Sequence, residues 1–263
     1  MKRNLKINDI CTFLETNYPL SLSSDFDLGK VGLTFGSRKL DFTGCLLSLD
    51  LNIDVVKDAI EKGCNLIITH HPYIFRPITQ IKYDTELAEV IKLMLVNNIS
   101  LYSMHTCYDV CENGVNDCLS NMLGLTDIKH ECDDICVNSL MRYGKCDLTF
   151  KELINKVKEI FELDSVRYVG ELDKPIKRVG IVGGSGGHER DVNNAIRYGL
   201  DCYISGEFTL SSGQIAKSND ICIIEVPHGI EKFSLYPLKE ELSKQFDKPF
   251  IVTNINTDPF KTI

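Results

Sequence analysis

Long hydrophobic runs are missing from this 263-residue sequence. Its most apolar stretches, residues 65–69 and 221–224, are far shorter than the ~20 residues that a helix needs to cross a bilayer. The basic N-terminus is followed by Asn8 and Asp9, where a secretory signal would have an apolar segment. These absences predict a cytoplasmic protein with no membrane span and no secretory signal.

Cysteine pairs with the two-residue spacing of zinc knuckles are also missing, although the sequence has 11 cysteines. Three residues separate Cys107 from Cys111, and three separate Cys132 from Cys136. The number of cysteines is odd, the chain is long and several cysteines lie in apolar runs, which favours reduced thiols. We therefore expect neither a cysteine-based zinc site nor a disulfide framework.

Positive charge is scarce, because 29 lysine and arginine residues stand against 37 acidic ones and the formal net charge is −8. Nucleic-acid-binding proteins usually present a concentrated basic surface, so the composition argues against nucleic acid as a partner. The hydrophobic fraction of 43% and the charged fraction of 25% are ordinary for a globular protein. The length allows one large α/β domain or two α/β lobes.

Short apolar runs alternate with segments of helical periodicity along most of the chain, which is typical of an α/β fold. The predicted strands are residues 45–50, 65–69, 99–104, 178–182, 202–205, 221–226 and 250–252. The predicted helices are residues 55–63, 85–97, 116–123, 150–161, 189–198, 211–217 and 236–246.

The chain turns polar and acidic at residues 126–134, which makes this stretch the best candidate for a lobe boundary. A second strand–helix series follows it, in an order that resembles the first. We expect the last elements to return to the first lobe. The predicted lobes are therefore residues 1–126 plus 228–263, and an inserted second lobe of residues 127–227.

Histidines follow the predicted strand at residues 65–69, in the sequence His70-His71-Pro72. Ligands of α/β proteins bind at the carboxyl ends of strands. Adjacent imidazoles diverge at a strand end, so each can serve a different metal ion. The alternative is a polar loop that contains histidine by chance, and that alternative would be favoured if this pair stood alone.

Two further strand ends carry metal-ligand residue types. His105 and Asp109 follow the strand at residues 99–104, and a carboxylate such as Asp109 can bridge two divalent ions. His228 and Glu231 follow the strand at residues 221–226 and would face together at the start of a helix. Asp109 could instead cap the turn at residues 113–114, and Glu231 could simply cap its helix. Three such strand ends together favour a mixed nitrogen and oxygen site for Zn, Mn, Fe or Mg.

A glycine-rich loop, Gly183-Gly184-Ser185-Gly186-Gly187, precedes His188 between a predicted strand and a predicted helix. Such loops can hold anions through backbone N–H groups, and a tight turn explains the glycines equally well. The loop matches neither the Walker motif nor the full dinucleotide fingerprint. If it is functional, it could hold a substrate phosphate, with His188 as a hydrogen-bond donor.

Several of these motifs resemble a known family over nearly the whole chain. They are Val31-Gly32-Leu33, Leu49-Asp50, the block from Ile67 to Pro72, His105-Thr106 with Asp109, Gly114-Val115-Asn116, the block from Ile204 to Glu207, His228 with Glu231, and Thr257-Asp258-Pro259-Phe260. They resemble the NGG-interacting-factor-like dinuclear metal-centre proteins, whose bacterial members are labelled GTP cyclohydrolase 1 type 2 homologues. Two departures from that pattern are an interval of three residues instead of four between His228 and Glu231, and Cys107 in place of asparagine.

The resemblance implies two similar α/β lobes with a dinuclear metal site in the cleft between them, and a toroidal homohexamer. Its implied metal ligands are His70, His71, Asp109, His228 and Glu231, with His105 beside the site. The implied activity is a metal-dependent hydrolase, resembling the opening of the GTP ring with release of formate, on a nucleotide or phosphorylated small molecule. His105 or His188 would transfer the proton. The alternative is a non-catalytic metal-binding or partner-binding hexameric scaffold.

Overall fold

The computed structural model describes residues 4–130 and 140–261. Within them, the α-helices are α1 (Ile7–Asn17), α2 (Ile53–Glu61), α3 (Glu86–Val96), α4 (Thr106–Val110), α5 (Val115–Met122), α6 (Phe150–Ile160), α7 (Glu189–Arg197), α8 (Leu210–Ser218) and α9 (Leu235–Gln245). The strands are β1 (Gly32–Phe35), β2 (Cys45–Ser48), β3 (Leu66–Thr69), β4 (Ser100–Ser103), β5 (Thr126–His130), β6 (Arg142–Thr149), β7 (Arg167–Val169), β8 (Pro175–Ile181), β9 (Cys202–Ser205), β10 (Cys222–Glu225) and β11 (Phe250–Val252). Short 3-10 helices cover Leu20–Leu22, Asp25–Asp27 and His228–Ser234.

The chain forms two compact units, each with its own sheet. Unit 1 comprises the residues up to Cys111 together with Leu235–Pro259, and unit 2 comprises Glu112–Ser234 and the residues after Pro259. The predicted α/β class is confirmed. The predicted lobe boundaries, after residues 126 and 227, stay a prediction. Residues 131–134 of the predicted boundary stretch lie outside the described residues, as do Cys132 and Cys136.

The sheet of unit 1 has the strand order β1-β4-β3-β2-β11. Strands β4, β3, β2 and β11 run parallel, and β1 is antiparallel to β4 at the edge. Every residue of β2, β3 and β4 is buried, which explains why these strands consist of apolar residues and small hydroxyl residues without a polar alternation. Because β3 and β4 are parallel neighbours, the residues that follow them emerge side by side.

Helices α2 and α3 pack on this sheet through a buried apolar cluster that includes Leu46, Val56, Ile67 and Met94. Helix α2 begins at Asn52, whose side chain accepts a hydrogen bond from the Val55 N–H at 2.9 Å. Capped, amphipathic helices over a buried parallel sheet hold the strand ends in place, and these ends carry the candidate ligands of unit 1.

The sheet of unit 2 has the strand order β5-β6-β8-β9-β10-β7. Its centre is parallel, β8-β9-β10, and its remaining strands pair antiparallel. Strand β5 lies within the predicted boundary at residues 126–134, so residues 126–130 of that stretch form an edge strand of this sheet. Four of the five β5 residues are exposed. An exposed edge strand can therefore be as polar as a linker, and polarity alone does not distinguish the two.

Helix α5 belongs to unit 2, although the prediction placed it in the first lobe. Its residue Asp117 forms an ion pair with Arg142 at the start of β6, and Arg142 is fully buried. A buried guanidinium without its carboxylate would be strongly destabilising, so this pair ties α5 to β6. None of the helices in residues 4–130 and 140–261 has the length and apolar character needed to cross a lipid bilayer.

Candidate metal centre

His70 and His71 follow the carboxyl end of β3 as predicted. The His70 N–H donates to the Ser48 carbonyl at 3.2 Å, and the His71 N–H donates to the Leu49 carbonyl at 3.0 Å. These bonds extend the parallel pairing with β2 past the last strand residue, so the backbone under both imidazoles is fixed. The two ring centroids lie 4.9 Å apart with planes at 60°, and His70 is only 1% exposed.

The Nδ1 atom of His71 lies 2.7 Å from Oδ1 of Asp50, just after β2. The second oxygen of Asp50 accepts a hydrogen bond from the Thr257 hydroxyl at 2.7 Å. Burial alone would raise the pKa of Asp50, but the hydrogen bonds from His71 and Thr257 hold that pKa below its ordinary value. An ionised Asp50 accepts the Nδ1 proton of His71, which leaves Nε2 as the nitrogen with a lone pair for a metal ion.

His105 repeats this arrangement at the end of β4. Its Nδ1 atom lies 2.7 Å from Oδ1 of Asp27, a fully buried residue whose Oδ2 accepts hydrogen bonds from the backbone and side chain of Thr106. Burial would raise the pKa of Asp27, and the bonds from His105 and Thr106 outweigh it and lower that pKa. His105 has a φ of +48°, a conformation that costs a non-glycine residue ~1–3 kcal/mol.

Unit 1 brings three imidazoles and a carboxylate together. The ring centroid of His105 lies 5.7 Å from that of His70 and 5.8 Å from that of His71. Asp109, on the short helix α4, has Oδ1 3.5 Å from Nε2 of His70. The alternative role of Asp109 as a cap of the next turn is filled by Asp117, whose carboxylate accepts the N–H of Asn113 at 2.8 Å.

In unit 2, Nε2 of His228 lies 3.3 Å from Oε2 of Glu231. Both residues lie on the 3-10 helix His228–Ser234, where a spacing of three brings side chains to one face. The shorter interval noted in the sequence is thus matched by a tighter helix. Glu231 is only 4% exposed.

The Nδ1 atom of His228 lies 2.7 Å from Oε1 of Glu207. Hydrogen bonds from Ser185 and His228 lower the pKa of Glu207, so this carboxylate is ionised and accepts the Nδ1 proton. His228 is therefore the third imidazole in the described residues whose Nδ1 faces a carboxylate.

The glycine-rich loop lies against the pair formed by His228 and Glu231. The Gly183 N–H donates to the side-chain oxygen of Asn116 at 2.7 Å, which anchors the loop to α5. At Gly184 an added Cβ would collide with Oε1 of Glu231 and lie 3.1 Å from Nε2 of His228. The glycines thus allow a close approach of backbone to a buried carboxylate.

His188 lies at the start of α7, where its side chain is exposed and makes no capping hydrogen bond. No hydrogen bond, ion pair or ring contact joins its imidazole to His228 or Glu231 within residues 4–130 and 140–261. A catalytic role of His188 stays a prediction, as does that of His105.

Sequence reasoning missed the carboxylates that orient the imidazoles, namely Asp50, Asp27 and Glu207. Asp50 had a detectable signal, because it ends an apolar run beside the strand that carries the histidines. Asp27 lies 78 residues from His105, in a segment without strand or helix periodicity. No local pattern would have found it.

The donor set fits divalent metal ions. Histidines that bind metals usually donate the second ring N–H to a carboxylate or carbonyl, which fixes the tautomer and raises the basicity of the ligating nitrogen. In unit 1, His71 and His105 have that partner, and Asp109 offers carboxylate oxygen beside His70. In unit 2, His228 has it, and Glu231 offers carboxylate oxygen beside His228. Mixed imidazole and carboxylate ligands suit Zn, Mn, Fe or Mg better than a metal that prefers thiolates.

Comparison with known proteins identifies similar chains over the full length. The model of the family described as Duf34/NIF3 (NGG1p interacting factor 3) matches residues 5–259. The GTP cyclohydrolase 1 type 2 homolog of Clostridium acetobutylicum is 34% identical over 270 residues, with 98% of this chain and 99% of the relative covered.

Solved structures share the fold. The Staphylococcus aureus hypothetical protein SA1388 superposes with a TM-score of 0.88 at 29% identity, over 99% of this chain and 100% of that one. A Bacillus cereus protein related to NIF3 superposes with a TM-score of 0.90 at 21% identity, with both chains covered completely.

Proposed function

We propose, from the membership of this chain in the Duf34/NIF3 (NGG1p interacting factor 3) family, that it is a metal-dependent hydrolase. Its metal ligands are His70, His71 and Asp109 of unit 1 with His228 and Glu231 of unit 2. They hold two divalent ions, drawn from Zn, Mn, Fe and Mg.

The observation that carries this proposal is the pairing of imidazoles with ionised carboxylates. Nδ1 of His71, of His105 and of His228 each lies 2.7 Å from a carboxylate oxygen. Such a partner costs desolvation and geometric freedom, and it benefits an imidazole whose other nitrogen must act as a base towards a metal ion or a proton. Histidines that occur in polar loops by chance would not be expected to form three such imidazole–carboxylate pairs.

A bound divalent ion lowers the pKa of a water molecule and polarises the bond under attack. The protein residues orient the substrate and move the proton. Nδ1 of His105 is committed to Asp27, so its Nε2 is the atom that takes a proton and returns it to the leaving group. Burial of His70 and Glu231 keeps bulk water away from the ligands.

The substrate class follows from the names of the relatives. They are called GTP cyclohydrolase 1 type 2 homologs, so we propose a nucleotide as substrate, with opening of the GTP ring and release of formate as the candidate reaction. We further propose that the protein acts in the cytoplasm as a toroidal homohexamer.

The test is turnover by protein that has been stripped of metal and reconstituted with each of the four metals. Formate release from GTP is measured together with hydrolysis of a panel of nucleotides and phosphoesters. Activity should require metal and should be lost in Asp109→Ala, while circular dichroism shows an intact fold. The matched control is Asp58→Ala, a carboxylate of unit 1 that binds Lys62 and Thr253 instead of an imidazole.

Absence of turnover with every metal and every substrate would contradict the hydrolase. That result would favour the non-catalytic alternative, a metal-binding or partner-binding scaffold.

A further inference from the structure

Two large aromatic side chains are exposed beside the imidazole cluster of unit 1. Phe26 is 55% exposed and Phe75 is 45% exposed. Their ring centroids lie 6.4 Å apart with planes at 54°, so the pair leaves aromatic surface open to solvent instead of packing face to face. An exposed aromatic ring loses much of the free energy that its burial would provide. Neighbouring exposed apolar side chains often mark a binding site.

Both rings contact His105. The centroid of Phe26 lies 5.9 Å from that of the imidazole at 70°, and the centroid of Phe75 lies 6.1 Å away at 89°. Phe26 is next to Asp27 in the chain, and the carboxylate of Asp27 binds Nδ1 of His105, which keeps Phe26 close to this imidazole. The aromatic pair is therefore tied to the residue that we propose as the proton carrier.

The ammonium group of Lys30 lies beside Phe26 and Phe75. Nζ of Lys30 lies 3.8 Å from the centroid of Phe75 and 5.9 Å from that of Phe26. This cation–π contact holds an ammonium group over one face of Phe75, beside the exposed ring of Phe26. Arg76 follows Phe75 in the sequence and is exposed, which adds a second cation to this segment.

We propose that Phe26, Phe75 and Lys30 form a binding platform for the base and phosphate of a purine nucleotide. The base stacks on the phenylalanine rings beside His105, and Lys30 pairs with the phosphate. Aromatic stacking suits every planar base, and a lysine recognises phosphate as a point charge, so the platform combines both features of a nucleotide. This inference rests on the proposed function and names residues that would bind the nucleotide proposed there.

The test measures binding without turnover, on the full chain in the presence of a metal chelator. The probe is guanosine 5′-monophosphate, followed by saturation-transfer-difference NMR, which detects weak complexes. The base proton H8 should receive more saturation than the ribose protons. Inorganic phosphate, which has no base, is the second probe and is titrated by its phosphorus signal.

The variants separate stacking from charge. Phe26→Ala and Phe75→Ala should each weaken nucleotide binding roughly tenfold, the usual effect of removing one stacking partner. Phe75→Leu keeps an apolar side chain and should also weaken it, because only an aromatic ring stacks. Lys30→Ala should weaken binding of the nucleotide but not of guanosine. The control is Tyr83→Ala, an aromatic residue of the same unit that is 98% exposed, and it should bind as the wild type does.

The platform is overturned if the nucleotide binds no better than inorganic phosphate, or if both Phe→Ala variants bind like the wild type. It is also overturned if light scattering shows that these variants change the oligomeric state, because the rings would then form a protein interface. Binding is measured without metal and therefore independently of turnover. If the wild type binds the nucleotide through the phenylalanines but shows no turnover, only the hydrolase proposal is contradicted. If the wild type shows turnover but the phenylalanine variants bind the nucleotide unchanged, only the platform is contradicted.

Discussion

His71 and Asp50, 21 residues apart in the chain, place Nδ1 and Oδ1 2.7 Å from each other at the ends of two neighbouring parallel strands. The carboxylate is itself held by Thr257 near the C-terminus. The pair fixes both the ring orientation and the tautomer of the histidine. It therefore determines which imidazole nitrogen is presented to a metal ion.

Replacing Asp50 by alanine should weaken metal binding about 10–100-fold, the usual effect of losing the partner of a metal-bound histidine. His71 would no longer be held in one tautomer. Competition against a chromophoric chelator measures the affinity, and Asp58→Ala should leave it unchanged. An affinity equal to that of the wild type in Asp50→Ala would show that the pair has only a structural role.

Gly184→Ala should destabilise the protein more than Gly63→Ala does. Both glycines have a positive φ, +69° and +67°, so both substitutions cost about 1 kcal/mol in backbone strain. At Gly63 an added Cβ meets nothing within 4 Å, whereas at Gly184 it collides with Glu231. Overpacking adds ~1–3 kcal/mol at Gly184.

Urea unfolding of both glycine variants measures the difference. The metal affinity should also fall in Gly184→Ala and not in Gly63→Ala, because only the first displaces a proposed ligand. Equal loss of stability in the two variants would mean that the loop at Gly184 relaxes away from the carboxylate.

Asp27 should contribute stability that depends on pH. Its pKa in the folded protein is lowered, whereas the unfolded value is about 3.9, so the contribution is complete above that value. It is lost as the pH falls below about 4, towards the lower folded pKa. Asp27→Asn should therefore be less stable than the wild type at pH 7 and at pH 5, with a difference that shrinks as the pH falls below 4. Chemical unfolding at each pH tests this, and a constant difference at all pH values would contradict the shift.

The buried thiols should resist alkylation in the native protein. Burial raises the pKa of Cys64, Cys118 and Cys222 to about 11, and the thiolate is the reactive form. At pH 8, iodoacetamide and peptide mass spectrometry should find these residues unlabelled before denaturation and labelled after it. Rapid native labelling of Cys222, which is 1% exposed, would mean that its sheet opens readily.

The sequence was most informative where strands are buried on both faces. Mainly apolar runs at residues 45–50, 65–69 and 99–104 predicted β2, β3 and β4, and the histidines after β3 and β4 were correctly expected at strand ends. The runs can be recognised because a parallel sheet covered on both faces excludes charged side chains and takes apolar or small hydroxyl residues.

The missed elements are those whose patterns are weak or shared with loops. The helices α1 and α4 and the strands β1, β5, β6 and β7 were not predicted, and β5 is mostly exposed, so its composition matches that of a linker. Strand β7 has only three residues, too few to show an alternation. Contacts between residues distant in sequence, such as the ion pair between Asp117 and Arg142, determine the structure of such segments. A short stretch of sequence does not contain that information.

Some residues of the candidate site could likewise be predicted from the sequence and others could not. The residues with chemistry at strand ends, such as His70 and His228, could be picked out from local pattern. The carboxylate partners Asp27 and Glu207 could not, because they lie 78 and 21 residues from the imidazoles they contact, in segments without a distinctive pattern. The identity of the partner depends on the fold as a whole.

Anomalous diffraction from crystals of the protein purified without added metal tests the central claim most directly. If the bound ions are Zn, Fe or Mn, two strong anomalous peaks per chain are expected, with ligand atoms from His70, His71, Asp109, His228 and Glu231. Data collected on both sides of the absorption edges of Zn, Fe and Mn would identify the transition metal. Absence of any peak beside these imidazoles, including in crystals soaked with each of these ions, would contradict it.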